Sequence, residues 1–259
     1  MSTVVITGAG SGMGRACIDL ARDRGEVVVA VDLRAPDIDG TVGVACDVAD
    51  PVAVSALADR VRELGPFRAL VHSAGISPTM GDARRILDVD LVGTQLLLDA
   101  FEPLVREGSA AVCFASSAAH QVAPFIDGAQ DALLRDPLAA DFLDRATDMV
   151  GNDPGFAYGL AKFGVMRAVQ RAAVRWGALG GRVNSVSPGL IDTPMGRQEF
   201  EQQPIMREMF ERTPLKRFGG PEEVAAVALF LASDTASFVS GIDVLVDGGL
   251  ASGSASASS

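Results

Sequence analysis

The sequence predicts an α/β fold: a single doubly wound Rossmann domain of about seven parallel strands with helices on both faces. Three observations carry this. Short β-branched runs alternate with longer stretches of helical periodicity along most of the 259 residues. The strand runs are continuously apolar instead of alternating, which means burial on both faces. The first run opens directly into a glycine-rich turn and then a helix, an arrangement that gathers backbone N–H groups around an anion.

Taken in order, Val4-Val5-Ile6 reads as the first strand, with a helix over 13–25 behind it. Residues 27–31 and 42–45 read as the next two strands, and a helix over 52–64 leads to a strand at 69–71. A helix over 91–105 and a strand at 110–114 continue the alternation. In the second half come a helix over 156–178, a strand at 182–186, a helix opened by Pro221, and a last strand at 244–246. Pro221 suits a first helical turn, and Glu222 and Glu223 complement the positive end of the helix dipole. Right-handed crossovers place a ligand at the carboxyl ends of the strands, where strand order reverses.

Two segments break the rhythm. Residues 120–155 read as a helical insertion, with Leu133, Leu134, Leu138, Phe142 and Leu143 among acidic residues. Residues 193–217, rich in Met, Phe and charge, read as a loop over the ligand, because long connections at that end often form lids. Residues 1–250 then make one domain, and the Ser/Ala/Gly-rich stretch 251–259 reads as a disordered tail.

Hydrophobic residues make up 48% and charged residues 21%, the mix of an ordered globular chain. The net charge of −11 argues against nucleic acid and anionic membrane surfaces as partners. No apolar stretch approaches the roughly 18 residues that span a bilayer, and Met1 leads almost directly into a strand, so the cytoplasm is the expected location. Cys17, Cys46 and Cys113 are scattered and odd in number, as for buried thiols in a reducing compartment. His72 and His120 have no ligand-spaced partners, so no metal is expected.

The turn Gly8-Ala9-Gly10-Ser11-Gly12-Met13-Gly14 has the strand–turn–helix context of a pyrophosphate cradle. Gly8, Ser11, Gly12, Met13 and Gly14 are its expected contacts. Asp32 ends the second strand, 18 residues after Gly14. A carboxylate there accepts from ribose hydroxyls and repels a 2′-phosphate, which favours NAD over NADP, with Leu33 beside it. Arg34 is the complication, since a guanidinium can hold a phosphate. Asp47, with Val48, is placed to meet the adenine, or alternatively to cap the helix that starts near Pro51.

Tyr158 is the only tyrosine and Lys162 is one of two lysines. Four residues apart on a helix, they share a face. A phenol titrates near ~10 and is a poor base at neutral pH. A neighbouring ammonium is expected to stabilise the phenolate and lower that pKa.

With these motifs the sequence resembles the short-chain dehydrogenase/reductase family over residues 3–250. Thr7 to Gly14 match TGxxxGxG, and Tyr158-Gly159-Leu160-Ala161-Lys162 match YxxxK. Ser116-Ser117 follow the fifth strand, Ser187-Pro188-Gly189 and Ile191-Asp192-Thr193 match the nicotinamide segment, and Val246-Asp247-Gly248-Gly249 match the terminal signature. The resemblance implies an oxidoreductase acting on CH–OH groups. Tyr158 would give or take the alcohol proton, and Lys162 would tune it and hold the nicotinamide ribose. Ser117, the better match of the two serines, would polarise the substrate oxygen. Ala74, Gly75, Pro188, Gly189, Ile191 and Thr193 would line the cofactor. Members are generally dimers or tetramers, and the insertion is expected to block one tetramer contact and favour a dimer.

Two departures stand out. Asp90 occupies the position where the family keeps Asn, and as a carboxylate it would hold Lys162 charged. His72-Ser73-Ala74-Gly75 replaces NNAG, with His72 read as a packing residue. The short 75–90 segment and the long gap before Tyr158 are similar to bacterial 3α-hydroxysteroid dehydrogenase/carbonyl reductases. That implies a hydrophobic alcohol or ketone, a hydroxysteroid among the options, with Phe125, Leu133, Phe142, Met195, Phe200, Met206, Met209 and Phe210 as candidate walls or as packing for the insertion. The alternatives are an acyl-thioester ketoreductase, which would use NADPH, and a nucleotide-sensing regulator.

Overall fold

In the computed structural model, which describes residues 1–22 and 25–256, the strands are β1 (Thr3–Thr7), β2 (Val27–Asp32), β3 (Thr41–Ala45), β4 (Phe67–His72), β5 (Ala110–Phe114), β6 (Arg182–Pro188) and β7 (Asp243–Val246). They form one parallel sheet in the order β3-β2-β1-β4-β5-β6-β7. The chain runs outward from β1 to β3 and then returns to β4 on the other side of β1, so strand order reverses between β1 and β4. Thr7 is level with both Val31 and His72. The residues that follow these strands therefore meet at one rim.

Side chains alternate along each strand, and both faces are apolar. Val4, Ile6, Val28, Ala30 and Val71 pack against α1 (Gly12–Ala21) and α11 (Pro221–Leu231). Val5, Val29, Leu70, Ala111 and Val183 pack against α2 (Pro51–Leu64), α4 (Gly93–Phe101) and α8 (Pro154–Gly177). This is the reason the strand runs read as continuous apolar stretches. Among the described residues, no helix is long and apolar enough to cross a membrane.

The insertion has its own small core. Helices α5 (Ser117–Val122), α6 (Gly128–Leu133) and α7 (Phe142–Met149) pack with α3 (Ala83–Leu87) and the first half of α8. Leu134 and Phe142 are fully buried there. The exposed ion pairs Arg167–Asp131 (2.8 Å) and Arg84–Asp144 (2.6 Å) tie its edges, but burial carries the packing, since exposed pairs contribute little.

Three elements differ from expectation. The helix expected over 91–105 is broken into a π-helical turn, Asp88–Val92, followed by α4. The segment 193–217 is not an open loop: α9 (Pro194–Gln202) and α10 (Pro204–Arg212) occupy it, each started by a proline at its first turn. Leu250–Ser256 forms α12 where a disordered tail was expected. The Asp247 carboxylate explains this start, because it accepts from the N–H groups of Gly249 (2.9 Å) and Ala251 (2.8 Å), and Leu250 is buried behind it. Residues 257–259 lie outside the described residues, as do 23–24 at the end of the first expected helix.

Candidate active site

A cavity opens at the rim where strand order reverses. Gly8, Ser11, Gly12 and Met13 line it from the first turn, and Asp32 and Leu33 from the end of β2. Asp47 and Val48 follow β3, Ala74 and Gly75 follow β4, and Thr193 closes it from the start of α9. Gly8 has a positive φ of 67°, and a Cβ on it would stand 2.8 Å from the Ala74 amide nitrogen, so only glycine lets these two loops meet. Gly14 lies behind the turn, within the buried face of α1.

The start of α1 is left open toward the cavity. Helices α2, α3, α5, α6, α8 and α9 carry side-chain caps from Asp50, Asp82, Ser116, Asp127, Asp153 and Thr193. Ser11, at the same position of α1, makes no such cap, and the first turn holds no acidic residue. The first N–H groups of α1 thus face the cavity without a side-chain acceptor, which fits a pyrophosphate. Asp32 accepts from the N–H of Gly10 (2.9 Å) and of Leu33 (2.8 Å), and both bonds fix its carboxylate at the rim.

Asp47 does not cap α2; Asp50 does, accepting from Val52 N–H at 2.8 Å. Asp47 instead accepts from Ala49 N–H (3.0 Å) and from the Arg85 guanidinium (3.0 Å). Arg85 lines the cavity beside it. No motif in the sequence flagged Arg85, and its position depends on the fold of 75–90.

Tyr158 and Lys162 share one face of α8, with the ammonium 5.6 Å from the ring centroid. Lys162 is buried; it donates to the Phe114 carbonyl (3.2 Å) and pairs with Asp90 Oδ2 at 3.5 Å. Ser116 caps α5, accepting from Ala118 N–H at 3.2 Å, and its hydroxyl favours the ionised Tyr158 phenol. Ser117, the residue expected beside Tyr158, is one step further on, buried as the first residue of α5. The helix start distinguishes them. Ser116 is still extended and Ser117 is already helical, and one helical step turns successive side chains by about 100°, so the two hydroxyls point apart.

The expected lowering of the Tyr158 pKa is also corrected. Burial first, and then the charges of Glu199 and Asp90, push the phenol above its ordinary value; the Ser116 hydroxyl opposes them. Asp90 is fully buried. Its Oδ1 accepts from Ile76 N–H (2.9 Å), while among the described residues Oδ2 makes no hydrogen bond and is paired with the Lys162 ammonium at 3.5 Å. Burial raises the Asp90 pKa, and Lys162 works against that shift. A Cβ on Gly75 would stand 2.8 Å from Asp90 Oδ1 and 3.1 Å from Lys162 Nζ, so the pair packs directly behind the cofactor loop.

His72 holds this region together. Ala74 N–H donates to Thr7 Oγ1 (3.1 Å), and the Thr94 hydroxyl donates to the Asp90 carbonyl (2.6 Å). Thr94 must therefore accept from His72 Nε2–H (3.0 Å), and Thr7 O–H must donate to Nδ1 (2.8 Å). One neutral imidazole thus joins β1, the loop after β4 and the π-helical turn. Burial, with Lys162 nearby, pulls the His72 pKa down to about 3.

On the opposite side α9 covers the rim. Thr193 caps it, accepting from Gly196 N–H at 3.0 Å, and Gln198 donates to Thr79 at 3.2 Å. Of the candidate apolar walls, Leu133 and Phe142 belong to the insertion core. Phe200 and Phe210 pack on each other and on Phe218, and Phe125 is exposed. Met195 lines the cavity. Pro188 ends β6, Gly189 just after it donates its N–H to Val246 C=O at 3.0 Å, and Ile191 is buried in the core on the side of α1 and α11.

Comparison with known proteins agrees with this layout. A family model described as enoyl-(acyl carrier protein) reductase matches residues 8–131 and 144–251, leaving out part of the insertion. The D-threitol dehydrogenase of Mycolicibacterium smegmatis is 32% identical over 95% of this chain and 91% of its own. The 3-alpha-hydroxysteroid dehydrogenase/carbonyl reductase of Comamonas testosteroni is 30% identical over 96% of both. Among solved structures, the 3-alpha-hydroxysteroid dehydrogenase of Pseudomonas sp. B-0831, complexed with NADH, aligns with a TM-score of 0.80 at 29% identity, covering 95% of this chain and 96% of that one.

Proposed function

The chain belongs to the short-chain dehydrogenase/reductase family, and on that premise we propose that it is an NAD-dependent oxidoreductase moving a hydride between the nicotinamide ring and a secondary alcohol or ketone. The observation that carries this reading is the meeting of Tyr158, Ser116 and Lys162 at the end of β5, beside a cradle whose helix start lacks a cap.

When bound, NAD supplies the hydride acceptor and a positive ring charge. The remaining work falls to side chains. Ser117, with Ser116 one step before it at the end of β5, would donate to the substrate oxygen and hold it against Tyr158. Tyr158 O–H gives its proton to the carbonyl oxygen in reduction; in oxidation its phenolate, formed against the burial that raises its pKa and favoured by the Lys162 ammonium and the positive ring of bound NAD, would take the carbinol proton. Lys162 places a buried positive charge beside the ring, where low dielectric makes it count. The Gly8–Gly14 turn would hold the pyrophosphate, Asp32 the adenosine ribose, and Asp47, with Arg85, the adenine end. Ala74, Gly75, Pro188, Gly189, Ile191 and Thr193 would flank the nicotinamide half. The Asp32 carboxylate supports NAD over NADP; Arg34 beside it is exposed and has no ion pair among the described residues.

For the substrate, two kinds of relative give two readings. The hydroxysteroid dehydrogenases, with the insertion ahead of α8, support a bulky hydrophobic alcohol or ketone such as a hydroxysteroid. The D-threitol dehydrogenase supports a small polyol. A regulator that only senses nucleotide would have no use for Ser117, Tyr158 and Lys162 together. An acyl-thioester ketoreductase using NADPH fits Asp32 poorly. We place the protein in the cytoplasm, on its three buried free cysteines, as a single domain over 1–250.

The test is NADH formation, read by absorbance, across hydroxysteroids, polyols and simple secondary alcohols, each with NAD and NADP. Turnover with NAD at least ~10-fold more efficient than with NADP is expected, because one like-charge contact is worth about 1–2 kcal/mol. Preference for NADP would overturn the cofactor reading, and silence with both cofactors would overturn the enzyme reading.

A further inference from the structure

Glu199 stands out against the apolar-wall reading of the lid. It lies on α9 four residues after Met195, which lines the cofactor cavity, so the two share the helix face turned to the rim. Both ends of that turn are fixed, by the Thr193 cap and by the Gln198–Thr79 bond. The Glu199 side chain is half-buried, and it makes no hydrogen bond or ion pair among the described residues. Its charge bears on Tyr158 more strongly than any other group's, and burial together with Asp90 pushes its own carboxyl up to about 7. A half-buried carboxylate left without a donor is costly. A helix face that turns one toward the rim of the site, beside Met195, is suited to a ligand that brings a donor with it.

We propose that Glu199 is a specificity-determining residue that accepts a hydrogen bond from a second hydroxyl of the substrate, so that the enzyme selects diols and polyols over the matching mono-alcohols. This rests on the dehydrogenase reading above and deepens it. The geometry divides the work. Tyr158 and Ser117 hold the carbinol being oxidised, while Glu199 reaches from the facing helix to a hydroxyl elsewhere on the same molecule. The aromatic residues of the lid do not compete for this place, since Phe200, Phe210 and Phe218 are spent on one another. A substrate lacking the second hydroxyl leaves the half-buried carboxylate without that partner, and a missing partner of this kind is what discriminates between the two.

The experiment compares kcat/KM with NAD for two matched pairs, 2,3-butanediol against 2-butanol and cyclohexane-1,2-diol against cyclohexanol, in the wild type, E199Q and E199L. The wild type is expected to favour each diol by roughly 10-fold or more, the worth of a hydrogen bond to a charged group. E199L should bring that ratio to within about threefold of unity, and E199Q, which keeps an acceptor oxygen, should fall between. Removing Glu199 also changes the Tyr158 pKa, but both members of a pair meet the same Tyr158, so the ratio isolates the second hydroxyl. A merely structural role for Glu199 would lower both rates and leave the ratio alone. An unchanged ratio in E199L, or no diol preference in the wild type, would overturn the proposal and leave the dehydrogenase reading standing. Failure of the wild type to reduce NAD with any alcohol tested would remove the dehydrogenase reading itself, and this proposal with it.

Discussion

A buried carboxylate adds to the charge around the catalytic centre. Asp90 faces Lys162 at 3.5 Å, and its charge raises the pKa of both Tyr158 and Glu199. Asp90→Asn removes that charge and keeps the acceptor for Ile76 N–H. The Tyr158 phenol should then ionise at lower pH, and the rising limb of the pH profile for alcohol oxidation should move to the acid side by about one unit. The groups around it, Tyr158, Glu199 and the Lys162 ammonium, all remain, so kcat/KM against pH in the two proteins isolates the Asp90 charge. Coincident profiles would mean that Asp90 is already neutral at working pH. Much of this site was legible from spacing alone: Tyr158 and Lys162 at four residues, Asp32 at a strand end, glycines in the turn. What spacing did not resolve was Ser116 against Ser117. That choice depends on which residue is the last extended one before α5, and helix boundaries are set by tertiary caps more than by local sequence. The sign of the Tyr158 shift was equally hidden, because Glu199 comes to it from a segment 41 residues away in the chain.

Elements meet at the rim through His72. As a neutral donor–acceptor bridge it ties Thr7 at the end of β1 to Thr94 in the first turn of α4, and through Thr94 to the π-helical turn. Its pKa falls from 6.5 to about 3 on folding. The unfolded chain therefore binds the extra proton first, and stability from this residue is full above pH 6.5 and is lost as pH falls toward 3. Between pH 7 and 4 that loss is roughly 3 kcal/mol. His72→Asn, which cannot titrate, should flatten the pH dependence of urea unfolding by about that amount, whatever its stability at pH 7. An unflattened curve would place the acid sensitivity elsewhere. The sequence marked this position as packing, and the burial was right, but the hydrogen-bond path needs four chain segments in contact. For the same reason the π-helical turn and α12 escaped notice. The first is held by Asp90 and Thr94 from within the fold, and the second begins on the Asp247 carboxylate.

The whole molecule is one sheet with its ligand face at the strand-order reversal, and that much follows from the strand runs and their order along the chain. Its outer surface carries a further expectation. Phe230, Phe238, Ile242 and Leu245 are exposed around the edge strand β7, an edge that invites pairing, while the insertion covers one flank of α8 through Leu134 and the Arg167–Asp131 pair. We therefore expect a homodimer through the β7 edge in place of a tetramer. A light-scattering mass near two chains would support it, and a mass of one or of four would contradict it. The most direct measurement for the molecule as a whole joins turnover to binding in one variant. Tyr158→Phe should lose NAD-dependent alcohol oxidation by about 10²-fold or more, the usual worth of a positioned proton-transfer group, while NADH still binds with wild-type affinity, read from the fluorescence of the nicotinamide itself. Turnover that survives the loss of this one hydroxyl would contradict the assignment of Tyr158 as the proton donor and acceptor.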